Sequence, residues 1–300
     1  MRMVIALGGN ALLRRGERPD ADVQVAHLAA AAPALAAVAA EHEVVFVHGN
    51  GPQVGLLALE STSDPGLSKP YPLSDLVAET QGVIGYWIQQ ALHNAGLPRP
   101  AVTLVTQTVV SASDPAFGTP TKFVGTGYPE EEARRLELRT TWSFRPDGDQ
   151  WRRVVASPEP QQVVELDAAE VLLRNGVVVI LAGGGGVPVA ERASGLAGVD
   201  AVVDKDLTAA LIATELRADL MVMLTDVPAV YLDYGTPTQR PLREIGVAEL
   251  AAIGFPAGSM GPKVTAAARF VEATKGRAAI GSLDDAAAVI KGAGGTQIVP

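Results

Sequence analysis

Glu43-Val44-Val45-Phe46-Val47-His48-Gly49-Asn50-Gly51-Pro52-Gln53-Val54-Gly55 is the stretch on which the fold turns. Glu43 to Val47 has the character of a buried strand, His48-Gly49-Asn50-Gly51-Pro52 closes it, and Val54 to Leu59 starts a helical pattern. The order is strand, glycine turn, helix. It recurs at the N-terminus, where Val4 to Leu7 runs into Gly8-Gly9-Asn10 and then into an Ala-rich stretch, Val23 to Ala40, whose Pro33 is expected to kink or divide a helix. Further along, Ala78 to Ala95 reads as an amphipathic helix, and Ala101 to Val110 and Val177 to Leu181 as strands, the second ending in Gly183-Gly184-Gly185-Gly186. Asp206 to Leu216 reads as a helix, and Leu220 to Leu224 as a strand ended by Thr225-Asp226. Short apolar strands alternating with helices indicate an α/β protein with a mainly parallel sheet covered on both faces. Ligands of such sheets lie beyond the carboxyl ends of the strands, where every one of these glycine segments falls.

The alternation breaks from about Ser113 to Pro160, a segment rich in Pro and Arg with Trp142 and Trp151, which reads as an inserted subdomain or lid. A length of 300 residues favours two lobes, 1–175 and 176–300, with Asn175-Gly176 as the link, and a single continuous sheet is equally compatible. A net charge of -9 argues against general attraction to nucleic acid or to an anionic membrane, so any anionic ligand must be caught locally. The absence of Cys excludes disulfides, sulfur-bound metal and a thiol nucleophile, and fits a reducing compartment. The first residues do not form a secretory signal, and Leu28 to Ala40 is too short to span a bilayer, so a cytoplasmic location is expected.

Glycine turns between a strand and a helix expose backbone N–H groups which, with the positive helix end, bind phosphate or carboxylate. Neither turn matches a Walker or a dinucleotide-binding fingerprint. Four adjacent glycines at 183–186 are expected where a ligand approaches the backbone closely. The basic residues comprise 18 Arg and only six Lys, so each Lys has a raised chance of serving through its compact ammonium. Lys122, Lys205 and Lys263 lie in loop-like motifs, whereas Lys69, Lys275 and Lys291 lie in ordinary surface sequence. Asp206 either caps the helix it begins or orients the lysines. Of the four His, only His48 sits in a motif, where it reads as positioning the turn by hydrogen bonding; hydrolase signatures are missing.

Taken together, Ala6-Leu7-Gly8-Gly9-Asn10-Ala11-Leu12, His48 to Gly55, Gln81-Gly82-Val83-Ile84-Gly85-Tyr86-Trp87, Pro120-Thr121-Lys122, Trp151-Arg152-Arg153-Val154-Val155, Gly183 to Val189, Val203 to Asp206 and Ser259 to Lys263 resemble the carbamate kinase branch of the amino-acid kinase family, along essentially the whole chain. The resemblance implies a three-layer αβα sandwich with a small protruding subdomain around Lys122, a homodimer, and reversible phosphoryl transfer between ATP and carbamate with Mg²⁺, the metal riding on the ATP phosphates. It implies a carbamate side in 1–175 and a nucleotide side in 176–300. Gly8, Gly9, Asn10, Gly49, Asn50 and Gly51 are then expected around carbamate and the transferred group, with Lys122 closing over them. Lys205 and Lys263 are expected on the ATP phosphates with Asp206 aligning them, and Thr225, Asp226, Tyr231 and Met260 beside the adenosine. Many relatives open with Lys-x-Gly-Gly; here Ala6 takes that place and Lys122 is expected to substitute. Phe123, where Pro is common, and Gly125-Thr126-Gly127 suggest a more mobile lid. The alternatives are another small-carboxylate or phosphate kinase of the family, or a non-catalytic anion-binding protein of the same fold.

Overall fold

The apolar runs pair into one eight-stranded sheet in the computed structural model, which describes residues 1–14, 16–255 and 260–300. Its strands are β1 (Arg2–Leu7), β2 (Glu43–His48), β3 (Ala101–Thr103), β4 (Val178–Ile180), β5 (Leu220–Thr225), β6 (Glu244–Gly246), β7 (Arg277–Ser282) and β8 (Thr296–Val299). They lie in the order β6-β8-β7-β5-β1-β2-β4-β3. Every pairing is parallel except β7 with β8. Strand β4 follows Asn175-Gly176 in the chain yet sits between β2 and β3, so the sheet is continuous across the expected link.

Because side chains alternate across a strand, β1 feeds two cores. Met3, Ile5 and Leu7 face the helices Ala21–Glu41, Leu73–Asn94 and Ala286–Lys291 through Leu28, Leu35, Ile84, Ile88 and Val289. Val4 and Ala6 face the helices Leu166–Arg174, Lys205–Glu215 and Met260–Thr274 through Leu173, Ile212 and Phe270. The expected three-layer αβα sandwich is thus present. Each large aliphatic or aromatic side chain sealed between the layers contributes about 1.5–3 kcal/mol.

Three expectations are corrected. Pro33 does not divide its helix, which is continuous for 21 residues. Pro33 and Ala29, whose carbonyl loses its donor, both lie on the exposed side of the helix, where solvent can replace that donor, while the opposite face stays packed. This helix, with a mean hydropathy of 1.7, is by length and composition long enough to cross a membrane, against the 13 apolar residues expected; its Leu28, Leu35 and Ala39 nonetheless pack in the core. The strand expected at Ala101 to Val110 is two strands, β3 and Gln107–Val110, the latter in a four-stranded sheet with Pro160–Val163, Val187–Arg192 and Gly195–Gly198. Gln81 clamps the break, donating Nε2–H to the Thr106 carbonyl at 3.0 Å and accepting the Thr106 N–H at 2.7 Å.

The protruding subdomain comprises the strands Lys122–Tyr128, Ser143–Asp147 and Gln150–Val155 and the helix Glu130–Arg139, whose Leu138 is 89% exposed. Arg153 stacks 4.1 Å from the Trp142 ring centre, and Arg152 pairs with Asp147 at 2.8 Å. Val124 and Val155 pack on Val54, Ala58 and Leu76 of the main body. Gly125, at φ +73°, lies so close to Gly55 that a Cβ on Gly55 would fall 2.0 Å from its Cα.

Candidate active site

The parallel strands β1, β2, β4 and β5 all end at one edge of the sheet, and the glycine segments meet there. The Gly8 N–H donates to the Leu224 carbonyl at 2.7 Å and the Gly49 N–H to the Leu7 carbonyl at 2.9 Å, so each turn is tied to the strand beside it. The two turns touch: a Cβ on Gly49 would fall 2.6 Å from the Gly9 nitrogen and 3.4 Å from Cδ of Lys205. A Cβ on Gly8 would meet the Leu224 carbonyl oxygen at 3.0 Å and Cα of Thr225 at 3.4 Å. Gly9 opens a one-turn helix, and Asn50 and Gly51 begin the helix Gly51–Ser63 with Pro52 in its first turn. Asn50 is buried and donates Nδ2–H to Oγ1 of Thr80 at 2.9 Å. The side chain of Asn10, and Ser259 as a whole, lie outside the described residues.

Beside the turns stands a charge cluster. Asp206 is 4% exposed and its two carboxylate oxygens accept from Lys205 Nζ at 2.5 Å and Lys263 Nζ at 3.1 Å. The lysines come from different helices, Lys205–Glu215 and Met260–Thr274, which pack side by side, so one carboxylate holds two ammonium groups at the same end of two helices. Burial opposes ionisation of Asp206, but Lys205 and Lys263 together hold its carboxyl far below the usual carboxylate range. Burial also draws Lys205 below the ordinary lysine range, aided by repulsion from Lys263; for Lys263 the same burial is outweighed by Asp206. The cap is therefore not Asp206. Asp204 caps this helix, accepting the N–H groups of Asp206 at 2.9 Å and Leu207 at 3.3 Å, and its other oxygen pairs with Lys122 of the protruding subdomain. Asp204 lies inside the Val203 to Asp206 motif, and an acidic residue just before the first turn of a helix is the signal in the sequence that marks such a cap.

Thr225 ends β5 against Gly8 and donates Oγ1–H to Asp226 at 3.0 Å, and Asp226 adds to the attraction felt by Lys263. Met260 lies less than one helical turn before Lys263 and packs against the core. Tyr231 is farther along, in a two-stranded ribbon with Arg240–Pro241, its ring 6.0 Å from that of Tyr234. Lys69, Lys275 and Lys291 are exposed.

The four adjacent glycines meet protein where a ligand had been expected. Cβ atoms on Gly183, Gly184, Gly185 and Gly186 would fall within 2.0–2.4 Å of His48, Asn50, Val203 and Thr108 respectively, and the last three glycines have positive φ. The run is the close-packed floor beneath the Gly49 turn. A separate cavity of about 810 Å³ opens at the opposite edge of the sheet, lined by Arg2, Glu43, Glu170 and Arg174. Arg2 pairs there with Glu43 at 2.8 Å and Arg174 with Glu170 at 2.7 Å, and the cavity shares no residue with the lysine cluster.

Residues 1–282 match the amino acid kinase family. The chain belongs to that family. A carbamate kinase of Rhizobium meliloti (strain 1021) is 50% identical over 303 residues, covering 99% of this chain and 93% of the relative. One of Escherichia coli (strain K12) is 47% identical, with 99% and 98% covered. Among solved structures, carbamate kinase from Giardia lamblia bound to AMP-PNP superposes with a TM-score of 0.89 at 41% identity, covering 99% of this chain and 98% of that one. Each of these similarities extends over 99% of the chain.

Proposed function

We propose that this chain is a phosphotransferase that moves a phosphoryl group reversibly between ATP and carbamate, giving ADP and carbamoyl phosphate. The observation that carries this reading is Asp206 clasped by Lys205 and Lys263 beside two touching glycine turns, in a chain 43–50% identical to carbamate kinases over its whole length.

Carbamate is an anion whose oxygen can attack the γ-phosphorus without losing a proton, so a general base is unnecessary. Phosphoryl transfer needs donor and acceptor held in line and charge on the transferred oxygens stabilised. Lys205 and Lys263 reach the phosphates from two helix N-termini, with Asp206 holding their spacing, and Lys122 approaches from the lid. Gly8, Gly9, Asn10, Gly49, Asn50 and Gly51 surround carbamate and the transferred group in this reading, and Thr225, Asp226, Tyr231 and Met260 border the nucleoside. Residues 1–175 with the lid then serve carbamate, and 176–300 serve the nucleotide.

The described residues hold no group of three His, Asp or Glu fit for a metal, and Asp204 and Asp206 are each engaged by lysine. Their donor chemistry fits a magnesium ion carried on the ATP phosphates better than one caged by the protein. When bound, it would neutralise phosphate charge. Cytoplasmic location belongs to the same reading, as does a homodimer, for which the exposed Val83, Tyr86 and Val105 near the edge strand β3 offer apolar surface. Sedimentation of the intact protein tests the dimer. The decisive assay is ATP formation from ADP and carbamoyl phosphate with magnesium; no ATP there, together with turnover of another acid, would overturn the assignment.

A further inference from the structure

His48 ends β2 with its side chain wholly enclosed. Its Nδ1 lies 3.1 Å from the Gly49 carbonyl oxygen. A carbonyl only accepts, so Nδ1 carries the proton and the neutral ring leaves Nε2 as a bare acceptor. Nε2 has no hydrogen-bond partner among the described residues, and the ring end lies against Gly183, where a Cβ would fall 2.2 Å from Nε2. A proton on Nε2 would find no acceptor among the described residues, and the opposite tautomer would also set a lone pair against the Gly49 oxygen.

The Gly49 carbonyl belongs to the peptide that joins Gly49 to Asn50. A trans peptide is planar, with its C=O and N–H on opposite sides. Holding the carbonyl toward the imidazole therefore turns the Asn50 N–H the other way. Asn50 is the residue from which the helix Gly51–Ser63 starts, and anions bind at such helix ends. Glycine at 49 leaves this plane free to rotate, and a rotated plane would present an oxygen to an anion in place of a donor. Lys205 passes within 3.4 Å of the Gly49 Cβ position, so the same turn borders the ammonium cluster, and it is the charged group that most opposes a proton on His48.

We propose that His48 is a positioning residue for the anion-binding turn: as the neutral Nδ1–H tautomer, wedged on Gly183, it fixes the Gly49–Asn50 peptide so that the Asn50 N–H serves the bound anion. The proposal rests on the kinase reading above for the identity of that anion.

The test uses the full chain. His48→Phe keeps a ring and loses the donor, whereas His48→Asn restores an N–H near the place of Nδ1. In ATP formation from ADP and carbamoyl phosphate, the Phe variant is expected to lose on the order of tenfold or more in kcat/KM for carbamoyl phosphate, with KM for ADP unchanged within about twofold. The Asn variant is expected to recover most of the loss. Independently of turnover, the Asn50 amide resonance is expected to move when inorganic phosphate is titrated into the wild type and the Asn variant and to stay still in the Phe variant, and imidazole nitrogen shifts to report the Nδ1–H tautomer. Full activity in a folded Phe variant, an unmoved Asn50 amide in the wild type, or an Nε2–H tautomer would each overturn the proposal. If the Phe variant does not fold, the wild-type amide and tautomer measurements decide. A wild type that forms no ATP sinks the kinase reading, while the phosphate titration still decides the role of His48.

Discussion

Asp206 is a buried carboxylate with two ammonium partners, and its removal would leave both of them in a poorly solvated pocket. Asp206→Ala is therefore expected to lower unfolding free energy by about 3–5 kcal/mol, read from urea denaturation. Lys205→Ala or Lys263→Ala should instead lower turnover by about 10²–10³, the usual loss when one preorganised charge donor is removed, while Lys291→Ala, on the surface, leaves it unchanged. His48 makes a separate statement through pH. Burial pulls its pKa from 6.5 to about 4, so between those values the unfolded chain binds a proton that the native one refuses. Stability should fall as pH drops through that window, by about 3 kcal/mol from this residue, and His48→Asn should remove that part of the slope in paired denaturation curves at pH 7 and pH 4. Asp206 titrates only below the window, which keeps the two contributions apart.

At the level of elements, Pro33 sits in a continuous helix whose solvent side carries the missing hydrogen bond. Pro33→Ala is expected to stabilise by about 1–3 kcal/mol, seen as a higher urea midpoint at unchanged slope. Gly55→Ala acts the other way: its Cβ would strike the backbone of Gly125 and lift the lid from the body, so ATP formation should fall on the order of tenfold or more while the far-ultraviolet helix signal persists. Much of this architecture is legible in sequence because β1, β2 and β5 are short, strongly apolar runs closed by glycine or polar residues. The C-terminal strands are harder to read. Arg277-Ala278-Ala279-Ile280-Gly281-Ser282 has one β-branched residue and two alanines, which by themselves favour helix, and only its place beside β5 makes it a strand. The lysines stand out through the scarcity of Lys. Asp204 does not, because its pairing with Lys122 spans 82 residues and exists only once the lid is folded onto the body. The four glycines point correctly to close approach but not to what approaches, since His48, Asn50 and Thr108 arrive from distant parts of the chain.

For the whole molecule, the joined glycine turns and lysines gather donors for an anion at one edge of a protein of net charge -9. A nucleotide that binds only the folded state stabilises it by mass action, by about 2.7 kcal/mol at a hundredfold excess over Kd. AMP-PNP should therefore raise Tm of the wild type in a concentration-dependent way and leave a Lys205→Ala/Lys263→Ala double variant unshifted. The chain also lacks any thiol, and Leu138 stands almost fully in solvent on the lid helix while Val171 is 60% exposed on the body. Cysteines placed at those two positions would be the sole attachment points for a donor–acceptor dye pair. Whether the subdomain moves during a single turnover then becomes a distance that can be watched by fluorescence, with no background labelling to subtract.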